Sequence, residues 1–130
     1  MALSEDFMSE ENAAAIRDRI KRATPSKLER VEVADWGGPV WVRVMTGTER
    51  DAFEQQMANA SSNGAKIGLD NIRARFLIRT LCAEDGTRVF GDADHVELGG
   101  KSANVLDRLF QVAQRMNGFG DDAVEELAGN

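Results

Sequence analysis

The chain has 130 residues, with 22 acidic against 16 basic side chains and a net charge of -6. One domain of this length buries about two thirds of its unfolded surface, so it can fold without metal or disulfide support. The negative charge argues against a nucleic-acid partner, because phosphate binding needs a basic surface. Cys82 is alone, which excludes an intramolecular disulfide and favours a buried thiol in a reducing compartment.

Membrane and export signals are also missing from the pattern. No apolar stretch approaches the length of about 20 residues that crosses a bilayer. The first residues, Met1 to Asp6, lack the basic and apolar regions of a signal peptide. We therefore expect a soluble cytosolic protein with no membrane partner.

The first predicted element is a helix from Ser9, its N-cap, to about Arg22. Ile16 and Ile20 give it a thin apolar stripe among charged residues. With so few large apolar groups, the helix is either loosely docked or waiting for a partner, and both interpretations remain open. We treat residues 1–27 as an N-terminal helical segment, residues 28–130 as the main domain, and Ile16 and Ile20 as candidate protein-binding residues.

A β-hairpin is predicted next, and the rest of the chain is organised around it. Two runs with a strand period, residues 31–33 and 40–44, flank the turn sequence of residues 35–39. Thr46 and Glu49 follow with the spacing of a capping box, in which each side chain bonds the other residue's amide. Hairpin and helix therefore form one unit.

The hairpin carries the two tryptophans of the chain. Regular alternation places Val42 with the other strand valines on one face and Trp41 with Arg43 on the other. Trp41 then faces outward as a candidate protein-binding residue, although a core position is an equal alternative. Trp36 is a second candidate, for which we favour packing in the core or the turn.

The remaining elements are mainly helical. The helix after the hairpin places Phe53 and Met57 on one face. The next helix, through Cys82, is apolar on most sides, so we expect it at the centre of the fold. The sequence also predicts a short strand at residues 88–90, a one- or two-turn helix at 92–98, and an amphipathic helix capped by Ser102. A final short helix is predicted to begin at its cap, Asp121. It carries the candidate protein-binding residues Val124 and Leu127.

These elements predict an α+β fold that is mainly α-helical, with about five helices, one small β-hairpin, and a loosely attached N-terminal helix. No reaction centre is visible in it. His95 stands among acidic residues, but first-turn acids that suit the helix dipole explain them better than a metal site does. A nucleophile and base in the usual pairing are absent. We expect no catalytic, cofactor or metal site.

Three stretches of the sequence resemble the tail assembly chaperones of long-tailed phages and prophages. The first is Val-Glu-Val-Ala-Asp-Trp-Gly-Gly followed by Val-Arg-Val-Met-Thr-Gly-Thr-Glu-Arg-Asp-Ala-Phe-Glu, and the second runs from Asn71 to Cys82 and on through Glu84-Asp-Gly-Thr-Arg-Val-Phe. The third begins at Leu98-Gly-Gly-Lys-Ser and ends at Arg-Met-Asn-Gly. The resemblance covers roughly residues 28 to 130.

The resemblance implies a non-enzymatic protein of the bacterial host cytoplasm that is absent from the mature virion. Such chaperones bind the tape measure protein, keep it soluble and help recruit tail tube protein subunits around it. They are mostly helical and are thought to self-associate into oligomers.

A small regulatory nucleic-acid-binding protein is the competing hypothesis. It would use the basic segment from Arg17 to Arg30, although the same residues are also typical of a solvated helix face. Its affinity would fall steeply with salt, and the overall charge has the wrong sign for it.

Overall fold

The computed structural model describes residues 12–24, 27–62 and 71–119. Within those ranges it contains five α-helices and one three-stranded antiparallel sheet, which confirms the mainly helical α+β fold. The helices are α1 (Ala13–Arg22), α2 (Gly47–Ser62), α3 (Ile72–Thr80), α4 (His95–Gly99) and α5 (Ala103–Met116), and the strands are β1 (Leu28–Val33), β2 (Gly38–Arg43) and β3 (Leu81–Cys82).

The predicted hairpin forms from β1 and β2. Its register pairs Val31 with Val40 and Arg30 with Trp41. One turn of 3-10 helix, Ala34–Trp36, joins the strands, and Gly37 follows it at φ 85°, a left-handed conformation that side chains with a Cβ adopt at a cost. The glycine therefore sets the reversal of the chain.

The third strand differs from the sequence prediction. Leu81 and Cys82 pair with Val42 and Trp41 of β2, so α3 ends at Thr80 instead of continuing through Cys82. The predicted strand at residues 88–90 is reduced to an isolated bridge between Arg88 and Cys82. Backbone pairing with the hairpin edge thus outweighs the helical tendency of these last residues.

Helix starts follow the predicted chemistry in one case and depart from it in two. The Thr46 hydroxyl accepts from the Glu49 amide at 3.2 Å and Glu49 Oε1 accepts from the Thr46 amide at 2.9 Å, which confirms the capping box. The cap of α1 is Asn12, whose side chain accepts from Ala15 at 2.9 Å, so the prediction of Ser9 was wrong. Ser102 holds the N-cap position of α5 without a side-chain bond.

The core lies between the inner face of the sheet and the apolar faces of α2, α3 and α5. Phe76 is fully buried at its centre, and its ring meets Phe53, Phe110 and Phe119 edge-on at centroid distances of 5.2, 5.5 and 5.6 Å. Such edge-to-face contacts add to the free energy gained by burial. The prediction that α3 is the central helix is therefore confirmed.

A buried asparagine locks the end of α5 to the start of α2. Asn117 Oδ1 accepts the Met45 amide at 2.8 Å, while its Nδ2 donates to the carbonyls of Ala113 at 2.8 Å and Arg43 at 3.3 Å. Its own carbonyl accepts from Arg50 at 2.7 Å. One side chain thus bonds backbone groups of the last residue of β2, of the residues just beyond it and of α5.

A second polar junction forms around the side chains of Arg43 and Arg88. The Arg43 guanidinium is largely buried and donates to Glu49 Oε2 at 2.6 Å. Arg88 donates to the Ile78 carbonyl at 3.0 Å and to Asp92 at 2.8 Å. These charge-assisted bonds connect the hairpin, the first turn of α2, the end of α3 and the loop that follows it.

Candidate protein-binding surfaces

Trp41 lies on the outer face of the sheet. Its neighbour Val42 is fully buried on the inner face, and successive strand residues point to opposite faces. Arg30 lies opposite Trp41 on β1, with its guanidinium carbon 6.0 Å from the ring centroid, and also pairs with Glu32 at 2.7 Å. The result is a half-buried tryptophan framed by charged side chains, an arrangement suited to protein contact.

Trp36 occupies a different environment. It is half-buried and packs against the hydrophobic core from the connection between β1 and β2. This position agrees with the alternative of core or turn packing that we favoured for it.

The outer face also holds the cysteine of the chain. Cys82 is buried next to Trp41 and its thiol approaches the Trp41 carbonyl at 3.5 Å. Burial raises the pKa of this thiol, against the opposing effect of Arg43. A thiol held neutral by burial is a poor nucleophile, so Cys82 acts as packing under Trp41.

The helix α1 carries the next two predicted residues, and none of its residues is buried. Ile20 is 66% exposed and Ile16 is half-buried. Both lie on one face of the helix, four residues apart. Val124 and Leu127, the remaining predicted pair, lie outside the described residues.

Two exposed apolar side chains were missed by the sequence reasoning. Val89 is 51% exposed and Val96 is 66% exposed. They lie in the segment between β3 and α5, within the predicted strand at residues 88–90 and the predicted helix at residues 92–98. Isolated valines in a turn-rich segment give no periodic signal that would have identified them.

The described residues give little support for a metal site or a small-molecule binding site. They contain no group of three or more His, Cys, Asp or Glu side chains that could hold a metal ion. A groove of about 450 Å³, lined by the first turns of α3 and α5, contains none of the predicted site residues, and its Arg73 pairs with Asp107 at 3.3 Å. None of the described helices is long and apolar enough to cross a membrane.

Comparisons with known proteins agree with the resemblance noted in the sequence. The fold is similar to the solved structure of the bacteriophage HK97 tail assembly chaperone, with a TM-score of 0.56, 18% sequence identity, and coverage of 83% of this chain and 99% of the other. No curated protein matches the chain in sequence. The family model described as phage tail assembly chaperone matches residues 19–128, from within α1 to near the last residue of the sequence. The chain therefore belongs to the phage tail assembly chaperone family.

Proposed function

We propose that this chain is a non-enzymatic tail assembly chaperone that binds the tape measure protein, keeps it soluble and helps recruit tail tube subunits. It acts in the cytoplasm of the bacterial host as a self-associated oligomer and leaves before the virion is complete. Membership of the family supports the chaperone role. The partners follow from the resemblance of residues 28 to 130.

The observation that carries the proposal on the structural side is the outward position of Trp41. A tryptophan offers a large apolar area together with one hydrogen-bond donor, and such residues often dominate the binding energy of an interface. Trp41 lies on a sheet whose other face is packed against the core, so the scaffold beneath it is rigid. The residue is thus held ready for a partner without needing to reorganise.

Many copies of this chain would bind along one long helical partner. Each copy offers one small apolar contact, and copies held in an oligomer add their contacts through a high effective concentration. Apolar stripes of the tape measure protein are thereby shielded from one another. The net charge of -6 keeps the coated assembly soluble.

Co-expression with the tape measure protein tests the proposal. We expect the partner to become soluble and to elute with several copies of this chain in size-exclusion chromatography with light scattering. Trp41→Ala should release the partner, while the matched control Trp41→Phe retains most of the flat apolar surface and should keep it bound. Thermal unfolding of both variants shows whether the fold is intact.

A lone monomer that leaves the partner insoluble would contradict the proposal. In that case the binding of a labelled duplex DNA and a labelled RNA at several salt concentrations tests the nucleic-acid alternative. Affinity that falls steeply with salt and disappears on charge reversal of Arg17 and Lys21 would favour the alternative.

A further inference from the structure

The exposed apolar side chains of the described residues lie in two regions of opposite charge. The large ones are Ile20 on α1 and the pair Val89 and Val96 between β3 and α5. The helix α1 carries four basic residues against Asp18. The segment of residues 84–98 carries five acidic residues against Arg88. Both regions therefore expose apolar side chains, and their net charges are complementary.

The helix α1 has the composition of an element that docks on an acidic surface. Its apolar stripe of Ile16 and Ile20 has Arg17 on one side and Arg19 on the other at helical spacing. A helix of ten residues is marginal in water by itself, because nucleation is costly and packing supplies most of the stability of a protein helix. No residue of α1 is buried, and Ile20 is 66% exposed, so this helix presents an accessible apolar side chain.

The acidic segment is an ordered surface. Arg88 donates to Asp92 at 2.8 Å, and the Gly91 amide donates to Asp94 at 2.7 Å, which fixes the turn before α4. Four of its five acids are exposed, namely Glu84, Asp85, Asp92 and Glu97. Val89 precedes this turn and Val96 follows it, so the segment exposes apolar as well as acidic side chains.

We propose that α1 of one copy docks on the segment of residues 84–98 of a second copy, with Ile16 and Ile20 against Val89 and Val96. The inference rests on the self-association included in the proposed function and names the two surfaces that meet. Because the surfaces are different, the contact is head-to-tail and each copy keeps one free end. Such a contact builds an open chain or a ring, whereas a two-fold contact stops at a dimer.

Charge reversal on each surface tests the inference. Variant one is Arg17→Glu with Lys21→Glu, and variant two is Glu84→Lys with Glu97→Lys. Each alone should weaken association of the full chain by about tenfold or more, because variant one makes α1 acidic against the acidic segment, and variant two leaves the segment without the net negative charge that attracts α1. Mixed in equal amounts the variants should form pairs, because the unchanged α1 of variant two and the unchanged segment of variant one still carry opposite charges.

Light scattering over a range of concentrations, at low and high salt, is the measurement. The matched control is Lys101→Glu with Arg108→Glu, two exposed residues outside both surfaces that change the net charge by the same amount as variant one. The control should associate like the wild type. Circular dichroism of each variant checks that the fold is kept.

Four results would overturn the inference: wild-type chain that stays monomeric at every concentration, single variants that associate like the wild type, a mixture that does not recover association, or oligomers that dissolve on nuclease treatment. Failure of the proposed function looks different. In that case the wild type associates and responds to charge reversal as described, yet the co-expressed tape measure protein remains insoluble.

Discussion

The helices α5 and α1 are both amphipathic, but only α5 has buried residues. Six residues of α5 are buried, and none of α1 is. The difference lies in the apolar side chains: α5 brings Leu106, Leu109 and Phe110 to the core, whereas α1 has only its two isoleucines. Periodicity thus predicts that a helix has an apolar face, and the volume of that face decides whether the monomer can bury it.

This contrast separates two parts of the chain. The body is the sheet with α2, α3 and α5, which pack on one another. The unburied surfaces are α1 and the segment of residues 84–98. Substitutions in the body should lower the free energy of unfolding, and those on the unburied surfaces should change assembly alone.

Phe76→Ala should be the most damaging change in the body. Phe76 is fully buried and its ring contacts three other phenylalanines. Removing it leaves a cavity in the centre of the core, which costs about 3–5 kcal/mol of unfolding free energy. Urea unfolding measures the change. A loss below about 1 kcal/mol would show that the core is not built around this ring.

Asn117→Ala should cost about 3 kcal/mol, because three side-chain hydrogen bonds are lost and the Met45 amide remains buried without a partner. The matched control is Asn104→Ala, an exposed asparagine at the start of α5, which should change stability by less than about 0.5 kcal/mol. An equal loss of unfolding free energy in the two variants would contradict the conclusion that the hydrogen bonds of Asn117 stabilise the fold.

Glu49→Gln should cost about 2 kcal/mol at neutral pH, because the buried Arg43 loses its charged acceptor. Partial burial alone would raise the pKa of Glu49, but the hydrogen bonds from Arg43 and Thr46 and the charge of Arg43 outweigh it and lower the pKa. The ionised form therefore favours folding. This stabilisation is complete above the ordinary glutamate pKa of about 4.3 and is lost as the pH falls through the lower folded value.

Thermal unfolding of wild type and Glu49→Gln across that range provides the measurement. The two stabilities should converge as the pH falls below about 4. A difference that stays constant from neutral to acidic pH would contradict the assignment.

Ile20→Ser should have the smallest effect on stability, less than about 0.5 kcal/mol, since the side chain is 66% exposed. The comparison substitution is Leu109→Ser, which places a hydroxyl in the core and should cost several times more. Association of the Ile20 variant should nevertheless fall. An Ile20→Ser chain that is strongly destabilised as a dilute monomer would show that α1 packs on its own body.

Much of the fold could be predicted from local patterns. The hairpin, the capping box of Thr46 and Glu49, the apolar face of α5 and its end before Gly118 all follow from short-range chemistry, and all are present. The outward position of Trp41 follows from strand alternation once the valines face the core.

The remainder depends on contacts between distant parts of the chain. Asn117 gives no local sign that it will meet Met45, 72 residues away. Leu81 and Cys82 leave the helical pattern because β2 offers an edge to pair with. The candidate surfaces were located only in part, since Val89 and Val96 lack periodicity.

Hydrogen exchange of the backbone amides of α1 and α5 tests the central division most directly. It would be measured on the dilute monomer and on the assembly that forms with the co-expressed tape measure protein. We predict that α5 is protected in both states, whereas α1 exchanges rapidly in the monomer and slowly in the assembly. Equal protection of α1 in the two states would contradict the account, because the helix would then be either already covered in the monomer or never covered at all.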